Sequence, residues 1–298
     1  VVEGKDFIQI LDSNSQQILK AIAGIAKESS DAKAKIREIV HVPRLQILDW
    51  IYLRNMGAKV RLSKEDEDLI ERLSRFEKIE ERPIPENLKA NLRHYQKDAY
   101  FWLSFLYENR FGACLADDMG LGKTLQAITL LAGIKEGKVK PVCHVQGPHL
   151  LVLPPSLLFN WENEINRFYP DLKMHFYTGL ERTTEFKDSD VFITTYGLIR
   201  RDIEKLKEIQ FNVIIFDEAQ AVKNIYADTT GAVRQLKGYF KLTMTGTPLE
   251  NHLGEYYSIL DLSLPGLLGE YANFKSYIKL DTSPSLELIL RRARPFVL

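Results

Sequence analysis

Six short apolar runs, set apart by longer stretches of helical periodicity, constrain the fold of this chain more than any other feature. They are Gly112–Ala116, Leu150–Leu153, Lys173–Tyr177, Val191–Thr195, Val213–Phe216 and Lys241–Met244. Between them the spacing predicts helices, among them Tyr95–Asn109, Lys123–Lys135 and Leu157–Phe168. Runs this short suit strands buried on both faces, and strands that alternate with helices argue for βαβ units. The expected fold class is therefore α/β, a mostly parallel sheet covered by helices on both faces. In such sheets ligands gather at the C-terminal ends of the strands.

Residues 1–80 have a different texture. Ile18–Ile25 and Val42–Met56 carry apolar residues at mixed spacings of three and four, and Lys64–Arg75 reads as a charged amphipathic helix with Ser63 as its N-cap. Glu80–Asn87, with two prolines and many charges, is the best boundary. The expected division is a helical accessory region over 1–82 and an α/β lobe over 88–298.

Composition excludes several function classes. Forty basic and forty acidic residues cancel, so no global charge draws the chain to nucleic acid or an anionic membrane. Any contact with DNA needs a local patch or backbone amides. The two cysteines, Cys114 and Cys143, offer neither a disulfide framework nor a zinc signature, which fits an intracellular, cytoplasmic protein. No apolar run is long enough to span a membrane, so no membrane partner is expected. His94, His144 and His149 show no metal-ligand spacing and read as surface groups, and Cys114 as a small buried residue. The start lacks Met and the end is abrupt, which suggests a piece of a longer chain.

The stretch CLADDMGLGKTLQAI, Cys114–Ile128, is where chemistry enters. It orders an apolar strand, a polar loop holding Gly120 and Gly122, then Lys123, Thr124 and a helix. Loop amides and the first turn of a helix cradle phosphate oxygens, because those donors lack intrahelical partners and the helix dipole favours an anion. Lys123 would reach the β- and γ-phosphates and Thr124 would offer its hydroxyl to Mg²⁺. The full pattern G-x-x-x-x-G-K-[ST] wants its first glycine at position 117, where Asp117 stands. A helix start with no ligand therefore stays open from this stretch alone. The second acidic site, VIIFDEAQ at Val213–Gln220, shifts the balance. Two carboxylates just past a buried strand are costly unless a cation or a wet cleft faces them. Asp217 would hold Mg²⁺, and Glu218 would orient and deprotonate the attacking water in phosphoryl transfer.

With these residues in view, the chain resembles the Swi/Snf family of superfamily 2 helicase-like ATPases, the chromatin-remodeller type. That family's loop reads D-E-M-G-L-G-K-T and stands here as Asp117-Asp118-Met119-Gly120-Leu121-Gly122-Lys123-Thr124, so the replaced glycine is the family's habit. Its acidic tetrad and following Lys-Asn stretch resemble Asp217-Glu218-Ala219-Gln220 and Ala221-Val222-Lys223-Asn224. Four further motifs follow the family's order: Leu92–Gln96 with Phe101–Leu103, Leu151–Trp161, Ile193–Leu198 and Leu242–Asn251. Ala99 and Met244 are small departures, at positions where the family usually has Gly and Leu. The loop Gly137–His149 is longer than the fold needs.

The resemblance implies a first RecA-like lobe over 88–298. It implies ATP and Mg²⁺ as cofactors, with Arg93, Gln96, Met119, Gly120, Leu121, Gly122, Lys123, Thr124 and Gln220 at the nucleotide, and Gln96 as an adenine reader. Thr124 and Asp217 would serve the metal, and Lys123, Asp217 and Glu218 catalysis. Pro155, Ser156, Asn160, Thr195, Tyr196, Lys223 and Asn224 would touch the backbone of double-stranded DNA. Thr245, Gly246 and Thr247 would couple the nucleotide state to the grip on DNA. A second RecA-like lobe of the same polypeptide would supply an arginine finger, so this piece alone would bind ATP weakly and hydrolyse it poorly. Residues 1–80 resemble the helical region preceding the motor in bacterial members, through His41-Val42-Pro43-Arg44, and would take protein partners; in a bacterium the protein would be nucleoid-associated. Other readings stay open: an ATPase of the same superfamily acting with RNA or RNA polymerase, and a non-catalytic scaffold. Tyr100, Phe101, Trp102 and Trp161 read as packing, Lys135 and Lys223 as solvated charges.

Overall fold

The computed structural model describes Lys64, Glu67, Asp68, Glu71 and residues 79–298, apart from Met119, His144, Gln146, Leu180, Glu181, Phe186, Lys187, 247–252, Glu270, Asn273 and 276–292. The helical patterns expected at Ile18–Ile25 and Val42–Met56, the cap at Ser63 and the motif His41–Arg44 lie outside the described residues. Lys64, Glu67, Asp68 and Glu71 are helical, as expected of that segment.

Six strands make one sheet: β1 (Ala113–Leu115), β2 (His149–Leu153), β3 (Met174–Phe176), β4 (Val191–Thr195), β5 (Gln210–Phe216) and β6 (Lys237–Met244). The order across the sheet is β1-β6-β5-β2-β4-β3, and every neighbouring pair is parallel. All five residues of β2 and of β4 are buried. Successive side chains point to opposite faces, so burial of each one means both faces are covered. Past β1 the chain's last residues join the ladder. Val297 bridges Cys114 in parallel, Leu298 N–H donates to Cys114 O (3.0 Å) and Ala116 N–H donates to Leu298 O (2.6 Å).

The described helices are α1 (His94–Glu108), α2 (Lys123–Lys135), α3 (Leu158–Phe168), α4 (Tyr196–Leu206), α5 (Asp228–Arg234) and α6 (Leu253–Ser263). Helix α3 buries Trp161 and Ile165, four residues apart on one face, and leaves the rest wetter. Helix α1 buries Tyr100 and Trp102, as their reading as packing requires, and the Trp102 indole donates to Pro295 O at 3.0 Å. Gly112, just before β1, is obligatory, because a Cβ there would lie 1.9 Å from the Ser263 carbonyl oxygen. Cys114 is fully buried, and burial pushes its thiol up to about 12.

All six expected strands form, but β5 and β6 begin earlier than their apolar runs. Lys237 and Gly238 sit at the wetter start of β6, where the ladder rather than hydrophobicity holds the chain. His149 corrects its reading as a surface group: it opens β2, is buried, and burial pulls its imidazole down to about 4. Lys135 is not merely solvated, since it pairs with Asp190 at 2.5 Å. No described helix is long and apolar enough to cross a membrane.

Candidate nucleotide site

The loops after β1, β5 and β6 leave the sheet at the same edge, because the strands run parallel with Leu115 opposite Met244 and Phe216 opposite Thr243. The loop after β1 ends in Gly122, whose backbone is left-handed at φ 79° and ψ 38° and caps α2. Gly120 is left-handed as well, at φ 88°. Such values favour glycine. Any Cβ at 122 would also meet the Gln96 amide nitrogen at 2.6 Å. No side chain caps α2 and no acid lies in its first turn, so its leading amides face the loop as bare donors. Lys123 Nζ donates to the carbonyls of Asp117 (2.7 Å) and Asp118 (3.1 Å), which holds the ammonium over the loop. Thr124 and Leu121 are half-buried beside it, and Met119 lies outside the described residues.

Gln96 ties this loop to α1. Its Oε1 accepts from Arg93 N–H (3.0 Å) and its Nε2 donates to Leu121 O (3.2 Å). The amide expected to read adenine thus has both ends engaged within the chain, while the Arg93 side chain is exposed.

Asp217 and Glu218 follow β5 directly. Asp217 is buried, and each of its polar atoms has a partner. Oδ2 accepts from the Trp161 indole (2.7 Å), Oδ1 from Glu218 N–H (2.9 Å) and the carbonyl from the Tyr196 hydroxyl (2.8 Å), while its own N–H donates to Val152 O (2.9 Å). Burial raises its carboxyl above the usual range; the indole and the amide pull it back, as does the Lys123 charge. Glu218 has a left-handed backbone, φ 49° and ψ 51°, a strained state for a non-glycine residue that such sites tolerate where neighbours fix it. Its Oε2 accepts from Gln220 Nε2, and Gln220 Oε1 accepts from the Thr245 hydroxyl at 2.9 Å. Residues from the ends of β5 and β6 are thereby joined side chain to side chain. Gly246 is half-buried, and Thr247 lies outside the described residues.

The residues expected along a nucleic-acid strand divide into two groups. Pro155 and Ser156 form an exposed 3₁₀ turn (Pro155–Leu157) ahead of α3, and Asn160 is exposed on α3. Lys223 and Asn224 are exposed too, though Lys223 pairs with Glu255 at 2.8 Å and Asn224 Oδ1 accepts from Tyr226 N–H. Thr195 and Tyr196, by contrast, are buried. The Thr195 hydroxyl caps α4, accepting from Leu198 N–H at 3.4 Å, and the Tyr196 phenol turns inward to Asp217. The residue that sequence reasoning placed only in the packing is Trp161. It is packed, at 0% exposure, and it is also a donor to the central carboxylate. Its signal in the sequence was chemical rather than periodic, since a buried indole N–H needs an acceptor.

The donor set suits a phosphate with a hard divalent cation. Bare amides and a lysine face the loop, and the Asp217 carboxylate lies near enough to feel the Lys123 charge. Among the described residues no group of three or more His, Cys, Asp or Glu side chains would hold a metal by itself. Mg²⁺ keeps much of its water and is bound through one or two carboxylates plus phosphate oxygens, which this arrangement allows.

Known proteins bear on this geometry. Residues 95–293 match the SNF2-related domain family. YwqA of Bacillus subtilis, a candidate ATP-dependent helicase/translocase, is 40% identical over 230 residues, which cover 74% of this chain and 24% of YwqA. The TATA-binding protein-associated factor MOT1 of Saccharomyces cerevisiae is 30% identical over 277 residues, 87% of this chain and 15% of MOT1. The chain thus spans a quarter or less of the length of these relatives. The SWI2/SNF2 ATPase core of Sulfolobus solfataricus, solved in complex with double-stranded DNA, superimposes with a TM-score of 0.66 at 38% identity, covering 72% of this chain and 45% of that one.

Proposed function

This chain belongs to the SNF2-related domain family of ATP-dependent helicases and translocases, and from that premise we propose that it is the ATP-binding half of a double-stranded DNA translocase. One observation carries the reading. The hydrogen-bonded series Thr245–Gln220–Glu218 joins the residue after β6 to the acidic residue just past β5, on the edge where the Lys123 loop also emerges. In this reading the leading amides of α2 and Lys123 bind the phosphates, and Thr124 and Asp217 hold Mg²⁺. When bound, Mg²⁺ neutralises charge developing on the transferred phosphoryl group. Glu218, fixed by Gln220, accepts a proton from the attacking water. Thr245 and Gly246 convey the state of that carboxylate to β6, and Thr247 belongs to the same coupling motif. Arg93, Met119, Leu121 and Gln96 complete the nucleotide pocket. For Gln96 to reach adenine it would exchange its bond to Leu121 O.

DNA contact is assigned to the side chains of Pro155, Ser156, Asn160, Lys223 and Asn224 and to the main chain of Thr195 and Tyr196, whose side chains are buried, through phosphates rather than bases, so binding would be independent of sequence and weaken with salt. The solved Sulfolobus core holds double-stranded DNA, which supports that choice of partner. Protein partners are assigned to residues 1–82, and a second lobe of the same polypeptide is assigned to close the cleft. By itself the present stretch would hydrolyse ATP about 10³-fold or more slowly than the whole protein, the scale of a missing arginine finger. A bacterial member would act in the cytoplasm, on the nucleoid. The experiment is ATPase turnover of the full-length protein with duplex DNA, with RNA and with neither, beside Glu218→Gln. Stimulation by the duplex alone, lost in the variant, is expected. Stimulation by RNA alone would replace DNA with RNA in this reading, and turnover that survives Glu218→Gln would remove Glu218 as the base.

A further inference from the structure

Asp217 receives side-chain donors from the segments that follow two other strands, Trp161 after β2 and Tyr196 after β4. Across the sheet β2 lies between β5 and β4, with Val152 opposite Phe216 and Leu153 opposite Thr195. The segments that leave β2, β4 and β5 are therefore neighbours. The segment after β2 runs through the exposed turn Pro155–Leu157 to Asn160 and then buries Trp161, whose indole donates to Asp217 Oδ2 at 2.7 Å. The segment after β4 places Tyr196 directly after Thr195, and its phenol donates to the Asp217 carbonyl at 2.8 Å. In each segment a residue assigned above to the DNA backbone stands next to an aromatic donor, Asn160 beside Trp161 and Thr195 beside Tyr196. A buried indole or phenol needs an acceptor, but packing alone does not put both on the same residue. The indole bond goes to the carboxylate, and a charged acceptor makes a stronger bond than a neutral one does.

We infer that Trp161 and Tyr196 are positioning residues, which link the two segments assigned to the DNA backbone to the carboxylate assigned to Mg²⁺. The inference rests on the proposed function for the assignment of those segments. Movement of the turn before α3 shifts the indole and hence Oδ2. Movement at the start of α4 shifts the phenol and hence the main chain of Asp217 and the adjoining Glu218. DNA seated on both segments restrains Asp217 from its two sides, without either aromatic ring touching nucleotide or DNA.

The test uses the full-length protein with Trp161→Phe and Tyr196→Phe, and Tyr107→Phe as a control. The Tyr107 hydroxyl makes an equally buried bond, 2.8 Å to Asn212 Oδ1, away from the site. Three readouts are needed: the Mg²⁺ concentration that half-saturates binding of a fluorescent, non-hydrolysable ATP analogue, the affinity for duplex DNA, and the ratio of kcat with and without duplex. Trp161→Phe is expected to raise the half-saturating Mg²⁺ about tenfold, the scale for losing a partner that orients a metal ligand. Both site variants are expected to shrink the DNA-stimulation ratio severalfold while duplex affinity stays within about twofold, and Tyr107→Phe is expected to move neither quantity. Wild-type protein stimulated by duplex, with both site variants unchanged in ratio and in Mg²⁺ requirement, overturns the inference and leaves the translocase reading intact. A control that behaves like the site variants overturns it too, because the effect is then general loosening. Wild-type protein with no stimulation by duplex sinks the translocase reading itself. Should Trp161→Phe fail to fold, Tyr196→Phe, which removes one oxygen atom, decides the matter through the stimulation ratio.

Discussion

Two charges on the same sheet, the buried Asp217 just past β5 and the half-buried Lys241 within β6, differ in their surroundings. Asp217, at the C-terminal edge, has every polar atom bonded. Lys241, in the wall of a cavity of about 280 Å³ lined by Arg110, Gly112, Lys237 and Ser263 near the start of β1, makes no ion pair among the described residues. Asp261, whose charge attracts it, is taken by Arg234 at 2.9 Å. Burial therefore depresses the Lys241 ammonium to about 8. Both charges cost folding free energy, but only at the C-terminal edge has the chain built a set of donors around the cost. Paired burial fixes a carboxylate where chemistry needs it, and unpaired burial is only a loss of stability.

Substitutions at the two sites should therefore separate activity from stability. The largest effect is expected from Glu218→Gln, which should lower ATP turnover of the full-length protein by about 10²–10⁴-fold, the usual contribution of a positioned base, with the melting temperature nearly unchanged. A large loss of stability in that variant would break the comparison. The half-buried lysine comes next. Lys241→Met should stabilise the protein at pH 7 by on the order of 1–3 kcal/mol. The folded-state value of about 8 lies below the ordinary 10.5, so the unfolded chain binds more protons between them and wild-type stability rises as pH climbs through that window. The variant's advantage should accordingly shrink above pH 8 and vanish near pH 10.5, as denaturant melts at several pH values would report.

His149 gives the acid counterpart at the N-terminal end of β2. Its Nδ1 is buried without a partner, and its folded value of about 4 lies below the ordinary 6.5. The unfolded chain again binds more protons between the two values, so stability should fall as pH drops from 6.5 towards 4, by up to about 3 kcal/mol. In His149→Leu this part of the acid sensitivity should disappear, which the same melts would detect. The smallest effect is expected from Thr245→Val, which removes the hydroxyl from Gln220 Oε1. It should lower DNA-stimulated turnover a few-fold and stability by about 1 kcal/mol, the worth of one hydrogen bond. A Thr245→Val protein with unaltered kinetics would confine the coupling to Gly246, Thr247 or elsewhere.

The six strands, the glycine-bearing loop and the Asp-Glu pair were legible in the sequence because each is encoded locally. An apolar run, a left-handed glycine and a helix start lie within a few residues of one another. The polar start of β6 was not legible, since a ladder partner rather than hydrophobicity keeps Lys237 and Gly238 extended. Nor was the burial of His149, whose neighbours across the sheet are set by register. The partners of the catalytic candidates were hidden for the same reason: Trp161 and Asp217 are 56 residues apart, and Gln220 and Thr245 are 25 apart. Gln96 shows the reverse case. Its place beside the loop was legible from the motif, and its bond to Arg93 is a local helix cap, yet its bond to Leu121 follows only from how α1 packs on the loop.

The parallel seam between the last residues and β1 has a mechanical meaning. A pull applied at Leu298 along the strand direction loads the bonds Leu298–Cys114 and Ala116–Leu298 together, in shear, instead of opening them one after another. The strand so loaded runs straight into the loop that holds Lys123. Tension at Leu298 is thus delivered within a few residues to the loop that holds Lys123.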